Sequence, residues 1–507
     1  MTERILQLRK RILETKRYVS IDQAKIITKI FKDTKKEPRS VRRAKSFRAC
    51  CEEIPINIHP LELIVGNRAP GIRAGVIFPE AGIKWLENEI ENLPNRNQDR
   101  FEVRKEDTTI FYEDIAPYWR GESLEDTIKG GEEGKEIKRT EKVIKINQKD
   151  HAQGHILPDV KRWLKLGPSG ILKAFYQAMT HETDTNKKLF YKSVCISLEG
   201  AIAFINRYSS LANDLAEKSS TSETNDHLLK VANICYNITI QPPETFHEAV
   251  QSIWFLFVLL QLESNASSFS PGRMDQYLYP YYQKDIEKGI LTKDEARELI
   301  SCLWLKFNEI VYLRNAHSAK FFAGFPIGFN VAVGGVDEYG NSAENELSYI
   351  MLEAQKILGF PQPNLSARIG NKTPVKFIDS CVEVIAEGSG MPQIFNDEAI
   401  IPALQNQGIS EKHALDYGIV GCVELTTHGN NLGWSDAAMF NMVKVIELAM
   451  NNGACLLTGK QIGLQTGYLK DFKTYSEFEI ALEKQMNYFI EIMMKLTAFV
   501  EQVHTQL

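Results

Sequence analysis

The sequence has little that would place it outside a reducing, aqueous compartment. Its eight cysteines, at 50, 51, 195, 235, 302, 381, 422 and 455, contain no CxxC pair and no zinc-ligand spacing. Scattered thiols in a long chain without a secretory pattern read as free, mostly small core residues, so neither a disulfide framework, a structural metal nor an iron–sulfur cluster is supported. Long apolar runs are also scarce: the strongest, Ile253 to Leu260, has eight residues, far short of the roughly 20 that cross a bilayer. The N-terminus carries charges at amphipathic spacing instead of a basic head and apolar core, so no signal peptide is expected. A one-sided charge is missing too, because 60 basic and 65 acidic residues leave a formal charge of -5. That balance gives no field for a nucleic-acid backbone. The basic run Lys35, Lys36, Arg39, Arg42, Arg43 and Lys45 therefore reads as a solvated surface or a helix facing a loop.

What remains is a folded protein of 507 residues, 43% apolar and 25% charged, long enough for several domains or one large α/β domain. Apolar spacing predicts a helix through Ile21, Ala24, Ile27, Ile30 and Phe31, with Ser20 as its cap. The charged stretch Lys129 to Arg139 reads as an exposed loop, and Gly154 to Leu164 as a loop entering a helix. Helices are predicted over Ser197 to Ala216 and from Pro243 through Leu260, the second buried on most faces. Thr474 and Glu477 have capping-box spacing before a last helix through Phe478, Leu482, Met486, Phe489, Ile490, Met493, Leu496 and Val500. Between these, short strand candidates alternate with helices from Leu291 to Glu387, which favours an α/β architecture. No short-period repeat is present, and domain boundaries are poorly marked.

The chemistry concentrates in Asp416 to Asn431, DYGIVGCVELTTHGNN. Cys422 and Glu424 stand two apart, so an extended or tight loop points both side chains one way, and the flanking glycines allow close backbone approach to a ligand. By spacing alone, a buried cysteine beside a surface or capped glutamate is the favoured reading.

The GCVE segment resembles the finger loop of the glycyl radical enzymes, a pyruvate formate-lyase-like superfamily, and most closely its glycerol and diol dehydratase-like branch. Four further segments carry the resemblance in order along the chain: VGNRAPGIRAG at Val65 to Gly75, ESNASSFSPGRMDQY at Glu263 to Tyr277, MPQIFND at Met391 to Asp397 and GWSDAAMFN at Gly433 to Asn441. The resemblance implies an α/β barrel of two parallel half-barrels surrounded by helices, incomplete at the C-terminus. Residues 1–507 would be the N-terminal and central portion of that barrel domain, with the finger loop near 416–431 and the C-terminal glycine-radical domain missing.

By the same resemblance, Cys422 is the hydrogen-abstracting catalytic residue and Glu424 the base. His155 in GHILPD, Ser267, Ser268 and Asp436 are the substrate-binding residues. Ser267 stands where the glycerol-dehydratase pattern has histidine, which argues for a substrate other than glycerol. Position 421 is glycine where pyruvate formate-lyase has a second cysteine, which argues against acetyl transfer. No bound organic cofactor or metal is expected; a glycyl radical on the missing segment would be installed by a radical S-adenosylmethionine activating enzyme. The implied partners are a small-molecule substrate, that activating enzyme, and a second copy or a missing C-terminal subunit, with neither nucleic acid nor membrane. The implied setting is the cytoplasm of an anaerobic organism. The expected function is a glycyl radical lyase, a dehydratase of a small hydroxylated substrate when complete. A radical decarboxylase, a carbon–sulfur lyase, a formate acetyltransferase-like enzyme and an inactive or regulatory remnant remain alternatives.

Overall fold

A computed structural model describes residues 1–507 apart from 153, 220, 325, 326, 433–436 and 507. The chain divides into two compact units, one of Met1–Phe78, Asn88–Ile115 and Gly154–Gly433, the other of Pro79–Glu87, Ala116–Gln153 and Trp434–Leu507.

The first unit contains a parallel sheet of β1 (Asn330–Gly334), β2 (Asn364–Ile369) and β3 (Gln393–Asn396), in that order. Helix α1 (Glu346–Leu358) connects β1 to β2, and α2 (Val375–Val384) leads toward β3. All of β1 and all of β2 but its last residue are buried, as expected where helices cover a parallel sheet. Turn chemistry fixes α1 at both ends. Asn345 accepts the Leu347 and Ser348 N–H groups at its start, and Gly359, at φ 58°, closes it in the left-handed region. Beyond β3, α3 (Asp397–Asn406) precedes an antiparallel hairpin of β4 (Gly418–Val420) and β5 (Glu424–Thr426).

The barrel implied by the resemblance is not there. Among the described residues no sheet exceeds three strands and none curls or closes. Closure takes about eight tilted strands in a continuous ladder. Here β1 meets only the isolated bridge Gly272↔Val331 on its outer side, and β4 and β5 pair with each other alone. The architecture is α/β, with several small sheets and surrounding helices.

Helix Phe246–Glu263 is buried almost all round, as its nearly uninterrupted apolar second half predicts, and begins with a capping box between Thr245 and Glu248. The helix predicted from Ser197 extends over Thr185–Glu217. It is long and apolar enough to cross a membrane by length and composition, and it packs along Arg39–Glu53, Val160–His181 and Ser222–Ile240. Ser20 does not cap the early helix. It ends the strand Tyr18–Ser20 and leaves Ile21 at the N-cap of Asp22–Asp33.

Inside this unit, His247 donates from Nε2 to the Leu63 carbonyl at 2.8 Å, and burial pushes its pKa down to about 4. The folded imidazole therefore stays neutral while the unfolded one takes up a proton below about pH 6.5. Stability present at neutral pH is lost as the pH falls from about 6.5 toward 4, by roughly 3 kcal/mol in all. His247→Gln is expected to flatten the pH dependence of unfolding in that window, measured by urea titration. An unchanged slope would remove His247 from the account.

In the second unit, strand Ile144–Ile146 pairs antiparallel with Ala438–Phe440. The last helix runs Tyr475–Gln506, with Glu477 N–H on Thr474 Oγ1. It buries Ala481, Gln485, Phe489, Ile492, Leu496 and Val500, a stripe at the three-and-four spacing of one helix face. The expected loop at Lys129 to Arg139 is instead largely helical, as Leu124–Lys129 and Gly131–Thr140. Glu132 and Glu133 sit in the first turn and Lys138 and Arg139 in the last, which complements the helix dipole. Gly134 is a packing requirement, not a loop signal, since a Cβ there would fall 2.1 Å from the Lys129 carbonyl oxygen.

Candidate active site

The hairpin β4–β5 carries Gly421, Cys422 and Val423 at its tip, with Val420 paired to Glu424. Its base is tied to the sheet by a buried ion pair. Arg368 of β2 makes two 2.9 Å bonds to the Asp397 carboxylate, a fork geometry that fixes direction as well as charge. The same guanidinium donates to the Tyr417 and Leu415 carbonyls at 2.9 and 3.0 Å and lies over the Tyr417 ring at 3.8 Å. Tyr417 donates its hydroxyl to Asp397 at 2.7 Å. Beside it, Asp416 accepts from Lys161 at 2.5 Å and Arg273 at 3.1 Å. Burial alone would raise the Asp416 carboxyl, but Arg273 and its other cationic neighbours hold it below its ordinary range. Ala332, Phe395, Leu404, Ala414, Tyr417 and Ile419 pack the hairpin base on one apolar cluster.

At the tip, Glu424 Oε2 accepts the N–H groups of Cys422 and Val423 at 2.9 and 3.0 Å. Its other oxygen lies 3.7 Å from His155 Nε2. Cys422 is exposed while the other seven cysteines are buried. Partial burial, and then the Glu424 charge, push its thiol pKa up. The sulfur is accordingly an S–H at neutral pH, suited to hydrogen-atom exchange and poorly suited to nucleophilic attack as a thiolate.

His155 reaches the tip because residues 154–157 run alongside 267–270. His155 N–H donates to Ser267 O at 3.0 Å and Ser270 N–H to Ile156 O at 3.1 Å. The approach is close enough that a Cβ on Gly154 would sit 2.0 Å from Ser267 O. His155 and Ser268 both hold left-handed backbone, at φ 58° and 63°. Such strain in non-glycine residues costs about 1–3 kcal/mol each and concentrates at functional sites.

The contacts thus bring Cys422, Glu424 and His155 together, with Ser267 beside His155 through the backbone. Ser268 is buried, and its hydroxyl is directed at the Ile327 carbonyl, 3.5 Å away, against Gly328. Asp436 lies outside the described residues. His428, not singled out from the sequence, packs against Gly272 and Gly418, and burial pushes it down to about 4, so it is neutral under physiological conditions. The supports Arg368, Asp397 and Arg273 were also not singled out, although Asp397 and Arg273 lie in segments already noted. Among the described residues no group of three or more His, Cys, Asp or Glu side chains is placed to hold a metal ion.

Gly421 explains why a second cysteine does not precede Cys422. It sits at φ 58°, and a Cβ there would come within 2.5 Å of His155 Cδ2 and 2.6 Å of Glu424 Oε2. Gly421→Ala is expected to destabilise the fold by about 1–3 kcal/mol, from left-handed strain plus the collision, read by chemical unfolding. An unchanged midpoint would contradict the close approach.

A family model described as "Pyruvate formate lyase-like" matches residues 1–507. The (2S)-3-sulfopropanediol dehydratase of Klebsiella oxytoca is 31% identical over 99% of this chain and 62% of its own length. The isethionate sulfite-lyase of Oleidesulfovibrio alaskensis is 30% identical over 96% of this chain and 60% of its own. Among solved structures, the glycerol-bound form of the B12-independent glycerol dehydratase from Clostridium butyricum superposes with a TM-score of 0.94 at 37% identity. That match covers 100% of this chain and 64% of the other. The chain therefore spans somewhat less than two thirds of the length of these relatives.

Proposed function

Since this chain belongs to the pyruvate formate lyase-like family, we propose that it carries the thiyl site of a glycyl radical dehydratase acting on a small hydroxylated substrate. The observation that carries the reading is the hairpin tip. An exposed thiol stands beside a carboxylate that is bound to the thiol's own N–H and faces an imidazole 3.7 Å away.

The radical itself would be supplied from a glycyl residue in further polypeptide of the kind the relatives possess, installed by a radical S-adenosylmethionine activating enzyme. Cys422 Sγ then takes a hydrogen atom from a substrate carbon that bears a hydroxyl. Glu424 removes the proton of that hydroxyl, which raises the electron density on the carbon radical and weakens the adjacent carbon–oxygen bond. The neighbouring hydroxyl departs as water, with a proton delivered from the Glu424–His155 pair, which ends with the protons it began with. The product radical recovers a hydrogen atom from the Cys422 thiol, and a carbonyl compound is released. Ser267 and Ser268 are assigned to substrate hydroxyls. The proposed setting is the cytoplasm of an anaerobe, with a second copy or a further polypeptide as protein partner.

Position 421 weighs against acetyl transfer, because a second cysteine would collide with His155 and Glu424. The test is product analysis of the native protein, isolated anaerobically with any accompanying polypeptide and activated, then given glycerol, (2S)-3-sulfopropanediol and isethionate separately. Loss of one water with formation of an aldehyde from either diol supports the reading. Sulfite release from isethionate, with both diols untouched, would replace it with carbon–sulfur cleavage.

A further inference from the structure

The hairpin tip is held at one more point, by residues far from it in sequence. Asn364, the first residue of β2, is buried and donates from Nδ2 to the Gly421 carbonyl at 2.9 Å. Its Oδ1 accepts from Gln362 Nε2 at 3.0 Å, and Gln362 Oε1 in turn accepts the Phe329 N–H at 2.7 Å. Each side-chain amide therefore has its oxygen and nitrogen assigned by its neighbours, which leaves Asn364 one orientation. The Gly421–Cys422 peptide is trans. In a trans peptide the C=O and N–H point in opposite directions, so fixing the Gly421 oxygen on Asn364 turns the Cys422 N–H to the other side, where Glu424 Oε2 accepts it at 2.9 Å.

We infer that Asn364 is a positioning residue: the amide relay Phe329–Gln362–Asn364 sets the Gly421–Cys422 peptide and thereby places Glu424 against the thiol and His155. Glycine at 421 makes such a device necessary. It is the residue with the least steric resistance to a peptide flip, since its backbone visits both signs of φ. Without the relay, the carboxylate loses one of its two loop donors and is free to swing off the thiol. The inference rests on the reading that Cys422 and Glu424 carry the chemistry, but it concerns their resting geometry and is tested without turnover.

Cys422 is the one exposed thiol among the eight, so iodoacetamide reports on it selectively. The titratable groups facing it are Glu424, on its own hairpin, and His155, from the segment before helix Val160–His181. The rate of alkylation is followed against pH in the full chain. In Asn364→Ala the midpoint is expected to fall, because the thiol loses the nearby negative charge. At neutral pH the rate then rises about 3- to 10-fold, since thiolate content changes tenfold for each unit of pKa. Glu424→Gln produces the same rise, and the double variant adds nothing further, which is the signature of one residue acting through the other. An Asn364→Ala profile that coincides with wild type, or a double variant whose effects multiply, overturns the inference. Should Asn364→Ala fail to fold, Gln362→Glu keeps the acceptor for Phe329 N–H and removes the donor to Asn364. It is expected to give a smaller rise of the same sign, and no rise at all overturns the inference equally. Failure to dehydrate any diol would count against the functional reading and leave this outcome unaffected.

Discussion

Arg368→Ala is expected to destabilise the unit that carries the hairpin by roughly 3–5 kcal/mol, the cost of leaving one member of a buried ion pair without its partner. Both side chains are almost wholly buried, at 0% and 2% exposure, so water cannot replace the lost fork. The damage reaches beyond Asp397. The Leu415 and Tyr417 carbonyls lose their donor, and Tyr417, whose phenol is pushed up by burial, keeps a hydroxyl bond to an uncompensated carboxylate. Arg368→Lys is expected to recover only part of the loss, because an ammonium supplies charge but not the planar pair of donors. Calorimetry of the full chain measures both, and an alanine variant within 1 kcal/mol of wild type would show that the hairpin does not hang on this pair.

Glu424→Gln is the second large effect. Glutamine retains an oxygen to accept the Cys422 and Val423 N–H groups, so the hairpin is expected to keep its shape. It cannot take a proton from a substrate hydroxyl. Turnover of the activated protein should fall by about 10²–10⁴-fold, the usual contribution of a positioned general base. The radical signal of the activated protein should be unchanged, because the base acts after hydrogen abstraction. Retention of at least a tenth of the activity would move the base to another residue.

These two predictions separate what could be read in the sequence from what could not. Local chemistry was legible: the capping residue Thr474, the loop that enters helix Val160–His181, and the Gly421–Cys422–Val423–Glu424 segment, whose two-residue spacing does place thiol and carboxylate on one hairpin tip. Charge density was ambiguous. The charged stretch Lys129 to Arg139 suggested an exposed loop where the chain forms helix Gly131–Thr140, whose acidic first turn and basic last turn complement the helix dipole. The barrel did not follow from the strand candidates, which are short and pair in small separate sheets.

The supports of the site were the least legible, for a geometric reason. Arg368 and Asp397 are 29 residues apart, and Asn364 and Gly421 are 57 apart. No local periodicity links such partners, which meet only because the sheet, α3 and the hairpin pack together, with Ala332 of β1, Phe395 of β3, Leu404 of α3 and Ile419 of the hairpin in one cluster. An arginine inside an otherwise apolar strand, within LSARI, was the available hint, since an unpaired buried guanidinium is not tolerated there. The hint names the need for an acid without saying which one.

The most direct test of the central claim, that Cys422 is the hydrogen-abstracting centre, is electron paramagnetic resonance combined with product analysis on the activated native protein and its Cys422→Ser variant. The account predicts a protein-centred radical in both, with substrate-dependent product formation in wild type and none in the variant, since the serine O–H is too strong to exchange hydrogen as a thiol does. Product formation by Cys422→Ser at a rate comparable to wild type would contradict it.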